Sequence, residues 1–331
     1  MVAVHSTVLG PALGGCRVWT YDDPTLAVRD ALRLARAMTY KAACADQPLG
    51  GGKGVIALPP GTRLTGRRRR DALLDFGETV DQLDGRYVTA EDVGIGSRDM
   101  PMIAQATRHV CGLATSRGGS GDPSPFTALG VEAAIRTTCA QAFGDASLRG
   151  RTVAVVGLGH VGSRVAQRCA RAGARLVLAD VDPAKRVLAE RLGARWTTPA
   201  RALTANVDVL SLCALGGQLD EAIVPRLRCR AIAGAANNQL ATDAVAAQLA
   251  AREIVWAPDF VVNAGGIVNI AVEFEPSGYD AGLARRRVRA IGDTLAEIFA
   301  AADAERTTPL AAAVALGEQR LAAAAAAARA S

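Results

Sequence analysis

Read along the chain, the apolar positions change rhythm about a third of the way in. Asp23-Pro24 supplies an N-cap followed by proline at the first helical position. Behind it Leu26, Leu32, Leu34, Ala35 and Met38 recur at helical spacing, which predicts an amphipathic helix ending near Lys41. "QPLGGGKG" then reads as a break, and "VIALPP" as a strand ended by prolines, so Lys53 is expected on a glycine-rich turn leading into that strand. "RYVTAEDVGIG" predicts a strand whose exit carries Glu91 and Asp92, and a long helix is expected to start near Phe126. From "RTVAVVGLGHVG" onward, short Val-rich runs ("RLVLAD", "VDVLSLCA", "RAIAGAA", "EIVWAPDFVV") are separated mostly by helical stretches. Strands alternating with helices predict an α/β fold with a parallel sheet. The Ala-rich end, "LAAAVALGEQRLAAAAAAARA", reads as one more helix.

These rhythms predict two domains with a cleft between them. One is an α/β substrate domain from residues 1–125, completed by a C-terminal helix over 305–331. The other is a Rossmann-type nucleotide domain over 126–304. A length of 331 residues suits two domains, and 50% hydrophobic residues suffice for a sizeable core in each. No run of some 18 apolar residues suggests a membrane span, and the first residues lack the pattern of a secretory signal. A net charge of +6 and 4% aromatic residues give no interleaved basic and stacking surface, which argues against nucleic acid. "RRRR" at 67–70 is read as the solvated start of a helix. Seven cysteines without a C-x-x-C pair suit reduced thiols in the cytoplasm, and three scattered histidines argue against a metal site.

The lysines change this picture. The chain holds only three, Lys41, Lys53 and Lys185, among 38 Lys+Arg. Two of them fall in the arginine-free window "TYKAACADQPLGGGKG". Guanidinium keeps its proton, whereas a buried amine can take one up and release it near neutral pH. The window therefore points to proton-transfer chemistry.

A second motif points to a dinucleotide. Gly157, Leu158, Gly159, His160, Val161 and Gly162 spell G-x-G-x-x-G after a Val-rich strand and open a helix, and Asp180 ends the next strand. The glycines allow close backbone approach to a pyrophosphate. Asp180 would accept from ribose hydroxyls and repel a 2′-phosphate, favouring NAD over NADP, with Lys185 and Arg186 near enough to temper that.

Eight ordered stretches carry a resemblance over nearly the whole chain: "LGPALGGCRVW", "MTYKAACADQPLGGGKG", "YVTAEDVG", "GGSGDPSPFTALGV", "GLGHVG", "CALGG", "GAANNQLA" and "APDFVVNAGGIVN". In these the chain resembles the leucine/valine/phenylalanine dehydrogenases of the glutamate dehydrogenase superfamily. The resemblance implies reversible NAD-dependent oxidation of an L-amino acid to the 2-oxo acid and ammonia. It implies Lys53 as the catalytic lysine that activates water, and Asp92 as the acid handling the amine's protons. Lys41 is implied to hold the α-carboxylate, with Gly14 and Gly15 beside it, and Asn238 to lie near substrate and nicotinamide. Thr127, Ala214 and Asn263 are implied at the cofactor. Two effects then oppose each other at Lys53: burial and Lys41 lower its pKa, while Asp92 raises it.

The same resemblance bears on the side chain of the substrate. Glutamate-specific relatives carry a lysine and a serine where this chain has Leu13 and Ile270. A side-chain carboxylate between two alkyl groups costs several kcal/mol without a partner. With Ala90 and Ile267 as further walls, the pocket is expected to suit a branched-chain amino acid such as leucine or valine. Two alternatives stay open: a phenylalanine-type dehydrogenase and a non-catalytic NAD-binding homologue. Members of the family are homo-oligomers whose chains begin a few tens of residues earlier, and Met1 is expected to fall inside a strand.

Overall fold

The computed structural model describes residues 1–330. They form two compact units: Met1–Pro123 with Ile267–Ala281 and the end of the chain from Gly317, and Ser124–Gly266 with Gly282–Leu316. Residues 267–281 were expected with the second unit and group with the first. Residues 305–316 show the reverse.

The first unit is built on a four-stranded sheet of order β1-β3-β2-β4. Its strands are β1 (Val2–Ser6), β2 (Ala12–Thr20), β3 (Gly50–Leu58) and β4 (Tyr87–Glu91). β2 runs parallel to both β3 and β4, and β1 lies antiparallel along the edge of β3. Side chains alternate across the sheet. Ala12, Cys16, Val18 and Tyr87 face helix α2 (Gly66–Asp81), where they meet Leu73, Phe76 and Val80. The opposite face takes helix α1 (Pro24–Cys44), with Ala27 and Ala31 against Val55. The start of α2 is "RRRR" as read, but Arg69 is not merely solvated. It grips Asp99 at 2.8 Å through both Nε and Nη2.

Two expectations change here. Lys53 lies inside β3, not on a turn. The glycines belong to the strand because both faces come too close for side chains. A Cβ at Gly51 would lie 2.2 Å from the Thr39 backbone nitrogen in α1, and one at Gly54 would lie 2.5 Å from the Phe76 ring. For the same reason α1 buries alanines, Ala27, Ala31, Ala35, Ala42 and Ala43, while Leu26 and Leu32 stay exposed. A helix lying on glycines turns its smallest side chains inward.

The second unit holds a six-stranded, all-parallel sheet of order β10-β9-β8-β5-β6-β7. The strands are β5 (Thr152–Val156), β6 (Arg175–Ala179), β7 (Arg195–Thr197), β8 (Val209–Leu212), β9 (Ala231–Ile232) and β10 (Val255–Trp256). This is the doubly wound order whose reversal lies between β5 and β8. Ala154, Val156, Leu210, Leu212, Ile232 and Trp256 supply its core. "DFVV", read as part of a strand, is a helical turn, Asp259–Val262.

The last helix, Pro309–Ala330, is long and apolar enough by length and composition to cross a membrane, contrary to the sequence reading. Its apolarity is mostly alanine. Within the first unit its Glu318 accepts from the Tyr40 hydroxyl, and Arg320 donates to the carbonyls of Ala43 and Cys44.

Candidate active site

On the α1 side of the first sheet, one row of positions crosses all four strands. Ala3 pairs with Lys53, and Gly15 pairs with Ala90. Alternation puts Leu13 and Arg17 on the same face as Gly15. Asp92 follows the end of β4 and folds back over this row. A Cβ on Gly15 would fall 2.7 Å from the Asp92 Cβ and 2.3 Å from the Glu91 carbonyl oxygen. A Cβ on Gly14 would fall 1.8 Å from the Gly52 carbonyl oxygen. The double glycine is thus a space requirement. Tyr87, fully buried, donates its hydroxyl to the Gly14 carbonyl at 2.5 Å and pins that segment.

Lys53 is 5% exposed. Its Nζ donates to Asp92 Oδ2 at 2.5 Å, and Arg17 Nε donates to the same oxygen at 3.0 Å. Arg17 is held in turn by Asp30 of α1, through Nη1 at 3.1 Å, and Asp30 also accepts from the Tyr21 hydroxyl and from Arg33. Burial lowers the Lys53 pKa and outweighs the Asp92 charge that would raise it; Arg17 adds to the lowering. The two opposing effects left open by the sequence are thereby decided for the amine. At Asp92, burial works upward, but Lys53 and then Arg17 outweigh it and hold the carboxyl below its ordinary value. The result is an ionised carboxylate bonded to an amine held below the ordinary lysine value.

Lys41 lies half-buried in the last turn of α1. Leu13, Ala90 and Ile267 are buried apolar positions and Ile270 is half-buried, all four within the first unit. Segment 267–281 is fixed there by Glu273, whose Oε1 accepts from the backbone nitrogens of Gly112 and Ser120. Sequence reading passed over Glu273, and it passed over Arg17. Arg17 carried a visible signal: a charge in the middle of the apolar strand "ALGGCRVW".

In the second unit the glycine turn follows β5. Gly157 has φ +94°, and a Cβ on it would fall 2.6 Å from the Ala214 Cβ. A Cβ on Gly162 would fall 1.9 Å from the Gly157 carbonyl oxygen. At Gly159 a Cβ would meet nothing within 4 Å, so this residue faces open space. His160 is exposed and Val161 half-buried beside it. Asp180, just past β6, accepts from the Leu158 nitrogen at 2.5 Å and from the Asp182 nitrogen at 2.9 Å. It therefore shapes the turn.

The two asparagines of the turn at 237–238 have different settings. Asn238 is exposed with φ +52°, and its carbonyl accepts from the Gly217 nitrogen. Asn237 is the residue that reaches Asn263, whose Nδ2 donates to Asn237 Oδ1 at 2.7 Å and to the Ala235 carbonyl at 3.1 Å. Asn263 Oδ1 is buried with no hydrogen-bond partner. The turn is held by fully buried Gln239, which meets Trp256, Asp259 and the carbonyls of Gly234 and Ala236. Thr127 lies in the first turn of the helix Ser124–Phe143, and a Cβ on Gly265 would fall 2.9 Å from its Cα. Open space at Gly159 and an orphaned amide oxygen at Asn263 both fit a dinucleotide that brings phosphates and a carboxamide. Among the described residues no three His, Cys, Asp or Glu side chains cluster as a metal ion would require.

Comparison with known proteins agrees with this architecture. The family model "Glu/Leu/Phe/Val dehydrogenase, dimerisation domain" matches residues 1–109, and "Glutamate/Leucine/Phenylalanine/Valine dehydrogenase" matches 180–329. The NAD binding domain of the D-isomer specific 2-hydroxyacid dehydrogenases matches 131–225, and the cofactor is NAD. A leucine dehydrogenase of Thermoactinomyces intermedius is 40% identical over 97% of this chain and 86% of its own. A valine dehydrogenase of Streptomyces albus is 42% identical over 97% and 88%. The crystal structure of the L-tryptophan dehydrogenase of Nostoc punctiforme superposes with a TM-score of 0.85 at 38% identity, covering 98% of this chain and 92% of that one. With sequence, fold and the row of Lys53, Gly15 and Asp92 in agreement, the chain belongs to the Glu/Leu/Phe/Val dehydrogenase family.

Proposed function

We propose that the protein catalyses NAD-dependent oxidative deamination of an aliphatic L-amino acid, such as leucine or valine, to the 2-oxo acid and ammonia. The observation that carries this reading is the buried Lys53, lowered in pKa by burial and bonded to an Asp92 that stays ionised. NAD, when bound, accepts the hydride from the substrate Cα. Lys41 holds the α-carboxylate by charge. Asp92, with Oδ2 already taken by Lys53 and Arg17, offers Oδ1 to the substrate's ammonium group and removes a proton. After oxidation at Cα, neutral Lys53 takes a proton from the water that adds to the iminium carbon, and Asp92 returns one to the nitrogen; as the C–N bond breaks and the carbonyl forms, the hydroxyl proton leaves with the departing ammonia as ammonium. Thr127, Asn237 and Asn263 orient the carboxamide end of the cofactor, and Gly157, Gly159 and Gly162 admit its pyrophosphate.

Leu13, Ala90, Ile267 and Ile270 form the side-chain wall. It offers a side-chain carboxylate no partner, so glutamate is a poor substrate. A second reading, an aromatic amino acid, is favoured by the similarity to an enzyme named for L-tryptophan. The protein acts as a homo-oligomer of the cytoplasm, where seven free thiols persist reduced.

The test is NADH formation at mildly alkaline pH with L-leucine, L-valine, L-isoleucine, L-phenylalanine, L-tryptophan and L-glutamate, run with NAD and with NADP. The reading expects the branched-chain substrates with NAD to lead. Turnover led by tryptophan selects the second reading, and no turnover with any of them rejects both.

A further inference from the structure

We infer that Arg17 is a positioning residue for the reaction: it clamps Asp92 Oδ2 beside Lys53 and offsets the Asp92 charge, so that Lys53 can release its proton. The inference deepens the proposed deamination and rests on it for the role of Lys53. Its ground is geometric. A lone Lys–Asp pair is a poor base, because the carboxylate holds the proton on the amine. Here a second, permanent cation meets the same carboxylate oxygen. Guanidinium does not give up its proton, so the compensation persists at every working pH. The field that Lys53 feels is that of an Arg17–Asp92 pair, not of a bare carboxylate.

Arg17 is fixed for this task. Its Nη1 reaches Asp30 on α1, and Asp30 is steadied by Tyr21 and Arg33. The chain of charges runs Lys53, Asp92, Arg17, Asp30, Arg33 with alternating sign. The other groups around Lys53 leave this arrangement intact. Cys16, next to Arg17 on β2, faces the α2 side, and burial pushes its thiol up to about 12, so it stays neutral. His5 on β1 is lowered by burial and by Arg36, and its Nδ1 is engaged with Thr39. The Met1 amino group donates to the Val55 carbonyl at the far side of β3. α1 also carries Lys41 in its last turn.

The sign of the effect follows. Without Arg17, Asp92 is no longer offset, Lys53 is held protonated to higher pH, and the acidic limb of the deamination profile moves up. Because the protein has three lysines, ε-¹³C-lysine labelling gives three signals to titrate by NMR, and Lys53→Arg identifies one of them. Arg17→Met keeps the aliphatic stem, and Arg17→Gln keeps a polar head should the methionine variant fold poorly. In either, the Lys53 midpoint is expected to rise by about one pH unit or more, with the acidic limb of kcat/KM rising alongside it. Arg17→Lys, which restores the charge, is expected to return most of the way. A Lys53 midpoint unchanged in a folded Arg17→Met or Arg17→Gln protein overturns the inference. The titration needs no substrate, so it decides the Arg17 question even where no amino acid is oxidised, an outcome that would reject only the functional reading.

Discussion

Gly15 lies directly beneath Asp92, so closely that a Cβ there would sit 2.7 Å from the aspartate's own Cβ. The acid is therefore placed by the absence of a side chain one strand away. Gly15→Ala must lift Asp92 and the Glu91 carbonyl together. Displacement by about 1 Å at a reacting group can cost about 10²-fold in rate. We expect at least that loss in kcat, with a lowered Tm. Gly96→Ala is the control, since a Cβ there meets nothing within 4 Å. Steady-state kinetics on both variants check this, and a Gly15→Ala enzyme with near wild-type kcat would refute it.

The second prediction concerns the side-chain wall. Leu13→Lys together with Ile270→Ser supplies the two polar partners that a side-chain carboxylate lacks in this chain. The ratio of kcat/KM for glutamate over leucine should rise by at least about tenfold, the scale of one charge-assisted contact. If the folded double variant keeps the wild-type ratio, Leu13 and Ile270 do not line the substrate.

How legible this was in the sequence differs between the two units. The glycine turn over 157–162 and Asp180 stood out because their chemistry is local: strand, turn and acid follow one another in the chain. Lys53 was singled out by residue type, yet its setting was misread. "GGGKG" looks like a turn, and only neighbours remote in sequence, Thr39, Phe76 and Tyr87, explain glycines inside a strand. The apolar face of α1 was misjudged for the same reason, since a helix resting on glycines buries alanine and leaves Leu26 and Leu32 outside. The Asn237–Asn263 bond joins residues 26 apart along the chain, and nothing local separates Asn237 from Asn238.

That pair of asparagines yields a third prediction. Asn237→Ala removes the acceptor that orients Asn263, and KM for NAD should rise up to about tenfold, the worth of one hydrogen bond. Asn238→Ala should act on stability instead, because alanine is strained at φ +52°. Asn238→Gly should relieve that strain. A larger rise in KM for Asn238→Ala than for Asn237→Ala would reverse the assignment.

The fourth prediction is a pH dependence. Deamination needs Lys53 without its proton, and burial has lowered that pKa from the ordinary lysine value of 10.5. Below the lowered pKa the amine is protonated and idle; above it the base form is populated. The kcat/KM for deamination should therefore rise with pH to a plateau, with a midpoint below 10.5. A profile that falls over the same range contradicts the assignment.

The most direct measurement compares charge-preserving swaps at the three lysines. Lys53→Arg keeps the positive charge and the Asp92 contact but cannot give up a proton. Its kcat should fall at least about 10²-fold, the usual worth of a general acid–base group. Lys41→Arg should act mainly on KM, because holding a carboxylate needs charge more than proton exchange. Lys185→Arg, beyond the dinucleotide turn, should be nearly silent. The account predicts that order of damage, with Lys53 worst. A Lys53→Arg enzyme within a few-fold of wild-type kcat would contradict it, because the base would then have to be another group.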